Sequence, residues 1–297
     1  MAWVFLSIAA AAFQTLRFVL QKRLSMGALS AGGATFARFV YAAPVAAGLA
    51  AVLVGAGSMP GLGAAFWPYA LVGGLAQIAG TWCVVALFAR RNFAVGITFK
   101  KTEVVQTALV GFVLLGDRIS IGAVAAILAG LAGVLALSGM PSAPGGRLRR
   151  LINPAAGLGL ISGALFAVSA ACYRGATLQV DSDDALLRAA VTLAAVTLAQ
   201  TVAMAAWLAW REPGQLARVA GAWRGAVWIG LAGLAGSLCW FTAFTLQNAA
   251  LVFAVGQVEV IFSLVASARV FNERLTAREA GGIALLTVSI VALVWLG

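Results

Sequence analysis

"GLAQIAGTWCVVALF" at residues 74–88 returns as "GLAGLAGSLCWFTAF" at residues 230–244, with 7 of 15 positions identical. Shared Ala, Gly and Leu carry little weight in a chain this rich in them, so the test is whether the same offset of 156 residues aligns rarer residues. It does. Without adjustment, Asn92 falls on Asn248, Glu103 on Glu259, Asp117 on Glu273, Arg118 on Arg274 and Ser120 on Thr276. "KKTEVV" overlies "GQVEVI", and "GDRIS" overlies "NERLT". The chain reads as two copies of one unit.

Composition gives the setting of that unit. The 297 residues are 63% hydrophobic and only 10% charged, with a mean hydropathy of +1.01, beyond the apolar share of soluble domains. A span takes about 20 mostly apolar residues. Such stretches recur between short Gly, Pro or charged breaks at 2–20, 31–54, 66–88, 93–115, 120–139, 154–173, 184–209, 223–245, 249–270 and 278–296. The expectation is an all-α integral membrane protein of ten transmembrane helices, with five in 1–139, a connecting loop at 140–153 and five in 154–297. An odd number of spans per copy makes the second enter from the opposite side, which gives inverted repeats and points to transport by alternating access.

Connections are short, "MPSAPGGRLRR" at 140–150 being among the longest, so no soluble catalytic domain fits between spans. The first span starts almost at Met1 without a basic leader or a small-residue cleavage site and reads as a retained helix. The net charge of +11 comes from residues scattered over short loops, which argues against nucleic acid as a partner. Lys22, Arg23, Arg90, Arg91, Arg147, Arg149, Arg150, Arg211, Arg218 and Arg224 all fall in, or at the edge of, odd-numbered connections. The positive-inside rule makes those cytoplasmic and puts both termini outside. The chain has no His and no P-loop, and Cys83, Cys172 and Cys239 show no metal-ligand spacing and read as small core residues. No cofactor, metal or enzymatic activity is expected.

Within the fourth span, "TFKKTEVVQ" at 98–106 sets two lysines and a glutamate in apolar surroundings. Only about 25 residues separate Arg91 from Asp117, and excluding 100–103 leaves pieces too short to cross about 30 Å of hydrocarbon. The cluster therefore lies near mid-membrane, where lipid exposure costs on the order of 2.5–3.5 kcal/mol per charge. Helical spacing puts Gly96, Lys100, Glu103, Thr107 and Gly111 on one small, polar face, with Lys101 about 100° around. Glu259, the repeat partner of Glu103, should reach the same cavity from the other half. The bland alternative has Lys100 neutralise Glu103 and Glu259 pair with Arg188, which leaves Lys101 unpaired.

Other candidates follow from position. Arg38, about two turns into the second span, offers a fork suited to a carboxylate or phosphate, while Arg17 and Arg188 lie near span ends and are expected to snorkel. Gln14, Gln77, Gln106 and Gln257 would supply neutral hydrogen bonds or join helices. Trp82, Trp240 and Phe241 lie in matching parts of the third and eighth spans and would line the cavity or merely pack. Arg38, Lys100 and Lys101 against Glu103 and Glu259 make the site lean positive, so the substrate would be a small polar metabolite carrying an anionic group, such as an amino acid or organic acid. Glu259 is the candidate proton carrier, because its equivalent of Lys100 is Gly256.

The chain resembles the drug/metabolite transporter superfamily in its EamA-type branch of ten-helix carriers. "LLGDRISIGAVAAILAGLAGVLAL" (114–137) and "VFNERLTAREAGGIALLTVSIVAL" (270–293) look like the family's G-E-R-L-[ST] turn before a Gly-rich fifth helix, and "ARF" (37–39) resembles its Arg-Phe at the start of the second. Two departures stand out: Thr102 and Glu103 sit where relatives often carry a proline, and the paired lysines are not part of the general pattern. The resemblance implies a secondary carrier, more often an exporter, of a bacterial inner membrane. The competing classes are an intramembrane enzyme using Lys100, Lys101 and Glu103, and a passive channel.

Overall fold

A computed structural model describes residues 1–25, 29–55, 58–88, 99–137, 154–262 and 277–296. Every described element is a helix, apart from a single antiparallel bridge between Leu62 and Val180. In chain order these are α1 (Ala2–Ser25), α2 (Ala31–Val40), α3 (Ala43–Val54), α4 (Phe66–Phe88), α5 (Glu103–Leu115), α6 (Ile121–Leu137), α7 (Pro154–Leu178), α8 (Ala185–Arg211), α9 (Gln215–Gly221), α10 (Trp223–Leu246), α11 (Ala249–Gly256) and α12 (Ala277–Leu296).

Among the described residues, six stretches are long and apolar enough to cross a membrane: Ala2–Gln21, Ala31–Val54, Phe66–Leu87, Pro154–Leu178, Ala185–Arg211 and Trp223–Leu246. The protein is a multi-pass membrane protein. Its large apolar side chains point outward as freely as inward, with Val52, Val113, Ile121 and Val202 all largely exposed, as suits a solvent of lipid tails.

Three expected spans are modified. The stretch 31–54 is two helices that meet at Tyr41 and Ala42, where Pro44 opens α3 because proline tolerates the first turn and not the interior. The fourth and ninth spans are interrupted, as described below, and residues 93–98, 138–139 and 263–270 lie outside the described residues. The short helix α9, between α8 and α10, was not expected from the sequence.

Packing is pairwise and intimate. Helix α4 lies along α7, α1 along α10, α6 along α12, and α8 against α2 and α3. Small residues let these backbones approach; Ser289 on α12 donates to the Ala126 carbonyl of α6 at 2.6 Å.

The "GDRIS" turn has a physical account. Gly116 ends α5 with φ +67°, a left-handed cap that L side chains resist. Asp117 binds Arg174 Nε at 3.1 Å, and Ser120 Oγ accepts from Ala123 N–H to cap α6. Arg174 also donates to the Phe244 and Gln247 carbonyls at 2.7 and 2.9 Å, satisfying groups that the end of α10 leaves open. One arginine thus ties the first half to the second. Arg174→Gln should lower stability by about 1.5–3 kcal/mol, read as a drop in thermal midpoint in detergent, whereas Arg118→Gln, a neighbour on the same turn, should change it little.

Candidate functional site

Two helices break at the same place in the repeat. Residues 99–100 are helical, 101–102 form a turn, and α5 resumes at Glu103; α11 ends at Gly256, 257–258 form a turn, and helix resumes over 259–262. The break at Lys101–Thr102 and that at Gln257–Val258 are 156 residues apart. Tight i to i+3 bonds hold both: Thr102 N–H to Phe99 O at 3.2 Å, and Gln257 N–H to Ala254 O at 3.2 Å. The Thr102 hydroxyl also donates to Phe99 O at 2.7 Å, competing with the helical ladder. Each glutamate then stands in the first turn of the resumed helix, where unpaired N–H groups favour negative charge.

The breaks re-aim the lysines. Lys100 Nζ sits 2.9 and 2.7 Å from the two oxygens of Glu103 and 4.8 Å from the centre of the Phe166 ring. Lys101 Nζ turns instead to Glu259 Oε2 at 2.8 Å, and Gln14 Nε2 donates to the same oxygen at 3.1 Å. Trp240 Nε1 completes the chain by donating to Gln14 Oε1 at 3.3 Å. Both lysines and Glu103 are buried. Helices α1, α10 and the two broken helices thus share one polar network.

The structure corrects four expectations. Lys101 is not left over when Lys100 binds Glu103, since it takes Glu259; and Glu259 does not lack a cation merely because Gly256 replaces the lysine on its own helix. Arg188 does not reach Glu259 and donates instead to Thr177 O at 2.8 Å. Arg17 does not snorkel: it is buried, bonded to Gln21 and set 4.2 Å from the Phe18 ring centre, while Gln21 donates to Ala34 O at 3.1 Å.

Arg38 is buried on α2 and donates to Thr81 Oγ1 at 3.1 Å and Ser237 Oγ at 3.2 Å. Those hydroxyls occupy the same position in the two copies of the opening stretch. Among the described residues its hydrogen-bond partners are neutral. It lines a small cavity of about 30 Å³, room for a water molecule or two. The polar side of that cavity is Gln14, Arg38, Gln77, Ser169 and Ser237; the opposite side is aromatic, with Phe166, Phe241, Phe244, Phe253 and Trp240. Tyr173 joins the two by donating to Gln77 Oε1 at 3.1 Å.

Not every candidate gathers there. Gln257 is buried beside Lys101 at a separate gap of about 10 Å³, with its Oε1 unpaired among the described residues, as is Gln106 Oε1. Trp82 is 41% exposed on the outer side of α4 and packs edge-on against Trp207 at 4.9 Å. Thr81, Ser237, Ser169, Phe166, Phe244 and Phe253 were not anticipated; the pairing of Thr81 with Ser237 in the repeat was the signal that pointed to two of them. A groove of about 710 Å³ lies open around Gly61–Gly63 and Leu178–Asp183. It lies apart from the ion pairs, and the buried charges carry more weight than its size.

Residues 153–295 match the model of the EamA-like transporter family. Over that stretch the chain is similar to the EamA-like transporters, as its motifs imply. No curated protein matches it. A crystal structure described only as that of a protein shares the fold with a TM-score of 0.70 at 16% identity, over 97% of this chain and 99% of its own.

In this EamA-like chain the cations Arg17, Arg38, Lys100 and Lys101 are buried around the carboxylates of Glu103 and Glu259, so the centre holds more positive charge than negative. Removing one partner of a buried pair strands the other. Lys100→Ala is expected to cost about 3–5 kcal/mol of stability, whereas Trp82→Leu should cost far less and leave ligand binding unchanged; thermal midpoints of the two purified variants make the comparison.

Proposed function

We propose that this EamA-like protein is a secondary carrier for a small polar metabolite with an anionic group, an amino acid or organic acid, which it moves by alternating access. The observation that carries the reading is the Lys101–Glu259 bond, which joins two interrupted helices from opposite halves of the chain. A bond of that kind must be remade whenever the halves exchange conformation. It is therefore a natural place to couple substrate to movement.

The packing supports two five-helix repeats in inverted orientation. Shifted by 156 residues, α1 falls on α7 and α4 on α10, so the α4–α7 and α1–α10 contacts are counterparts, and α6 on α12 is its own counterpart. Arg38, held by equivalent hydroxyls from both halves, would take the anionic group of the substrate, with Gln14, Trp240 and the lysine cluster beside it. The two ion pairs neutralise themselves, and among the described residues Arg38 lines the cavity bonded only to neutral groups. Gln257 and Lys101 would act at the break rather than on the substrate directly.

Glu259 is the coupling candidate on a new argument. Glu103 is held by a lysine three residues before it, whereas Glu259 is held by a lysine from the other half, so protonation of Glu259 would release Lys101 and free the halves. Export and a bacterial inner membrane rest on the family resemblance rather than on any residue. Transport requires no chemistry at Lys100 or Lys101, both of which are engaged by carboxylates.

In proteoliposomes, uptake of an organic-acid or amino-acid substrate should saturate and show counterflow. Arg38→Gln should abolish both. Glu259→Gln should keep exchange while losing accumulation driven by a pH gradient. Non-saturating flux without counterflow would contradict the carrier, and proton-driven accumulation undiminished in Glu259→Gln would remove that residue from coupling.

A further inference from the structure

The cavity beside Arg38 is two-sided, and its aromatic side belongs to one half of the chain only. Trp240, Phe244 and Phe253 pack on one another with ring centres 5.2–5.8 Å apart, Trp240 and Phe244 nearly parallel at 14°. Phe166 lines the same space from α7. In the first copy, the positions equivalent to Trp240, Phe253 and Phe166 are Val84, Ile97 and Ala10. Symmetric packing of the two halves therefore does not call for rings at these places.

The second half is also shaped to hold them. A Cβ added at Gly256 would lie 2.3 Å from the Trp240 ring, so the end of α11 is bare where the indole rests against it. In the first half that position is Lys100. One copy of the break thus supplies a cation, and the other supplies room for an aromatic plate. Trp240 is anchored at the same time by its N–H to Gln14, the residue that also holds Glu259.

Across the cavity, Arg38 presents one positive charge whose hydrogen-bond partners, Thr81 and Ser237, are neutral hydroxyls. Water excluded by the rings strengthens that charge as an anchor, and flat apolar groups gain most against aromatic faces. We infer that the substrate is an organic monoanion with a flat, apolar body: its carboxylate binds Arg38 and its body lies against Trp240, Phe244 and Phe253. This rests on the carrier reading both for movement and for the widening of the cavity, which at about 30 Å³ admits only a water or two as it stands; the preference for a flat body comes from the rings and Arg38. A dicarboxylate of similar length would place its second charge against the rings, and an aromatic amine would meet Arg38 with the wrong sign.

The test is a thermal-shift titration of the purified full chain with phenylacetate, acetate, succinate and benzylamine. Phenylacetate should raise the midpoint at a concentration at least about tenfold below acetate, and benzylamine should not raise it. Trp240→Leu and Phe253→Leu should erase that advantage while retaining the weak acetate response, and Arg38→Gln should remove both responses. Gly256→Ala, which displaces the indole, should act like Trp240→Leu. Acetate or succinate matching phenylacetate on the parent protein would overturn the inference whatever the variants do, as would a phenylacetate response indifferent to Trp240→Leu and Phe253→Leu. Liposomes preloaded with phenylacetate separate the two levels. Selective binding without counterflow supports the site and removes the carrier, whereas saturable counterflow of acetate and succinate with no aromatic preference keeps the carrier and overturns the inference.

Discussion

A lysine and a glutamate 158 residues apart in sequence meet at 2.8 Å in the middle of the bundle, and the rest of the architecture answers to that contact. Either charge alone in hydrocarbon would cost on the order of 2.5–3.5 kcal/mol. Pairing makes both tolerable only if the two halves are held in register, so the bond and the fold specify each other. The helix breaks at 101–102 and 257–258 make the geometry possible. In a continuous helix Lys100 and Lys101 would diverge by about 100°, yet here both side chains are buried and both find a carboxylate.

Around this centre the two halves of the sequence carry different residues. The first copy carries the lysine pair, Arg38 and Arg17; the second carries the rings and the bare glycine against which the indole rests. The shared parts, Thr81 with Ser237 and Glu103 with Glu259, sit where both halves must meet. The candidate site gathers positions where the two halves of the sequence agree and positions where they differ.

Much of this was legible in the sequence because polar residues are rare in it. Their alignment at one offset marks the two places, 101–102 and 257–258, at which helices break, and the length of apolar chain around "TFKKTEVVQ" points to the burial of Lys100, Lys101 and Glu103. The breaks were not legible, since a turn closed by i to i+3 bonds needs no proline or glycine within it: Lys101, Thr102, Gln257 and Val258 would fit a continuous helix as well. Trp82 and Trp240 seemed matched, but the repeat pairs Trp82 with Leu238 and Trp240 with Val84. Two residues along a helix is about 200°, so one tryptophan facing the cavity places the other on the outside. Arg17 seemed close to a helix end because α1 was expected to stop at 20; it runs to Ser25, which sets Arg17 about two turns inside.

The central claim is that the two halves are joined through Lys101 and Glu259, and a charge-exchange cycle tests it most directly. Thermal midpoints would be measured for Lys101→Glu, Glu259→Lys and the double exchange, reconstituted in the same lipid. Each single change sets like charges together, so both singles should fall well below the parent and the double should recover most of the loss, with a coupling of about 1–3 kcal/mol. Losses that simply add in the double variant would mean that the two side chains do not hold the halves together.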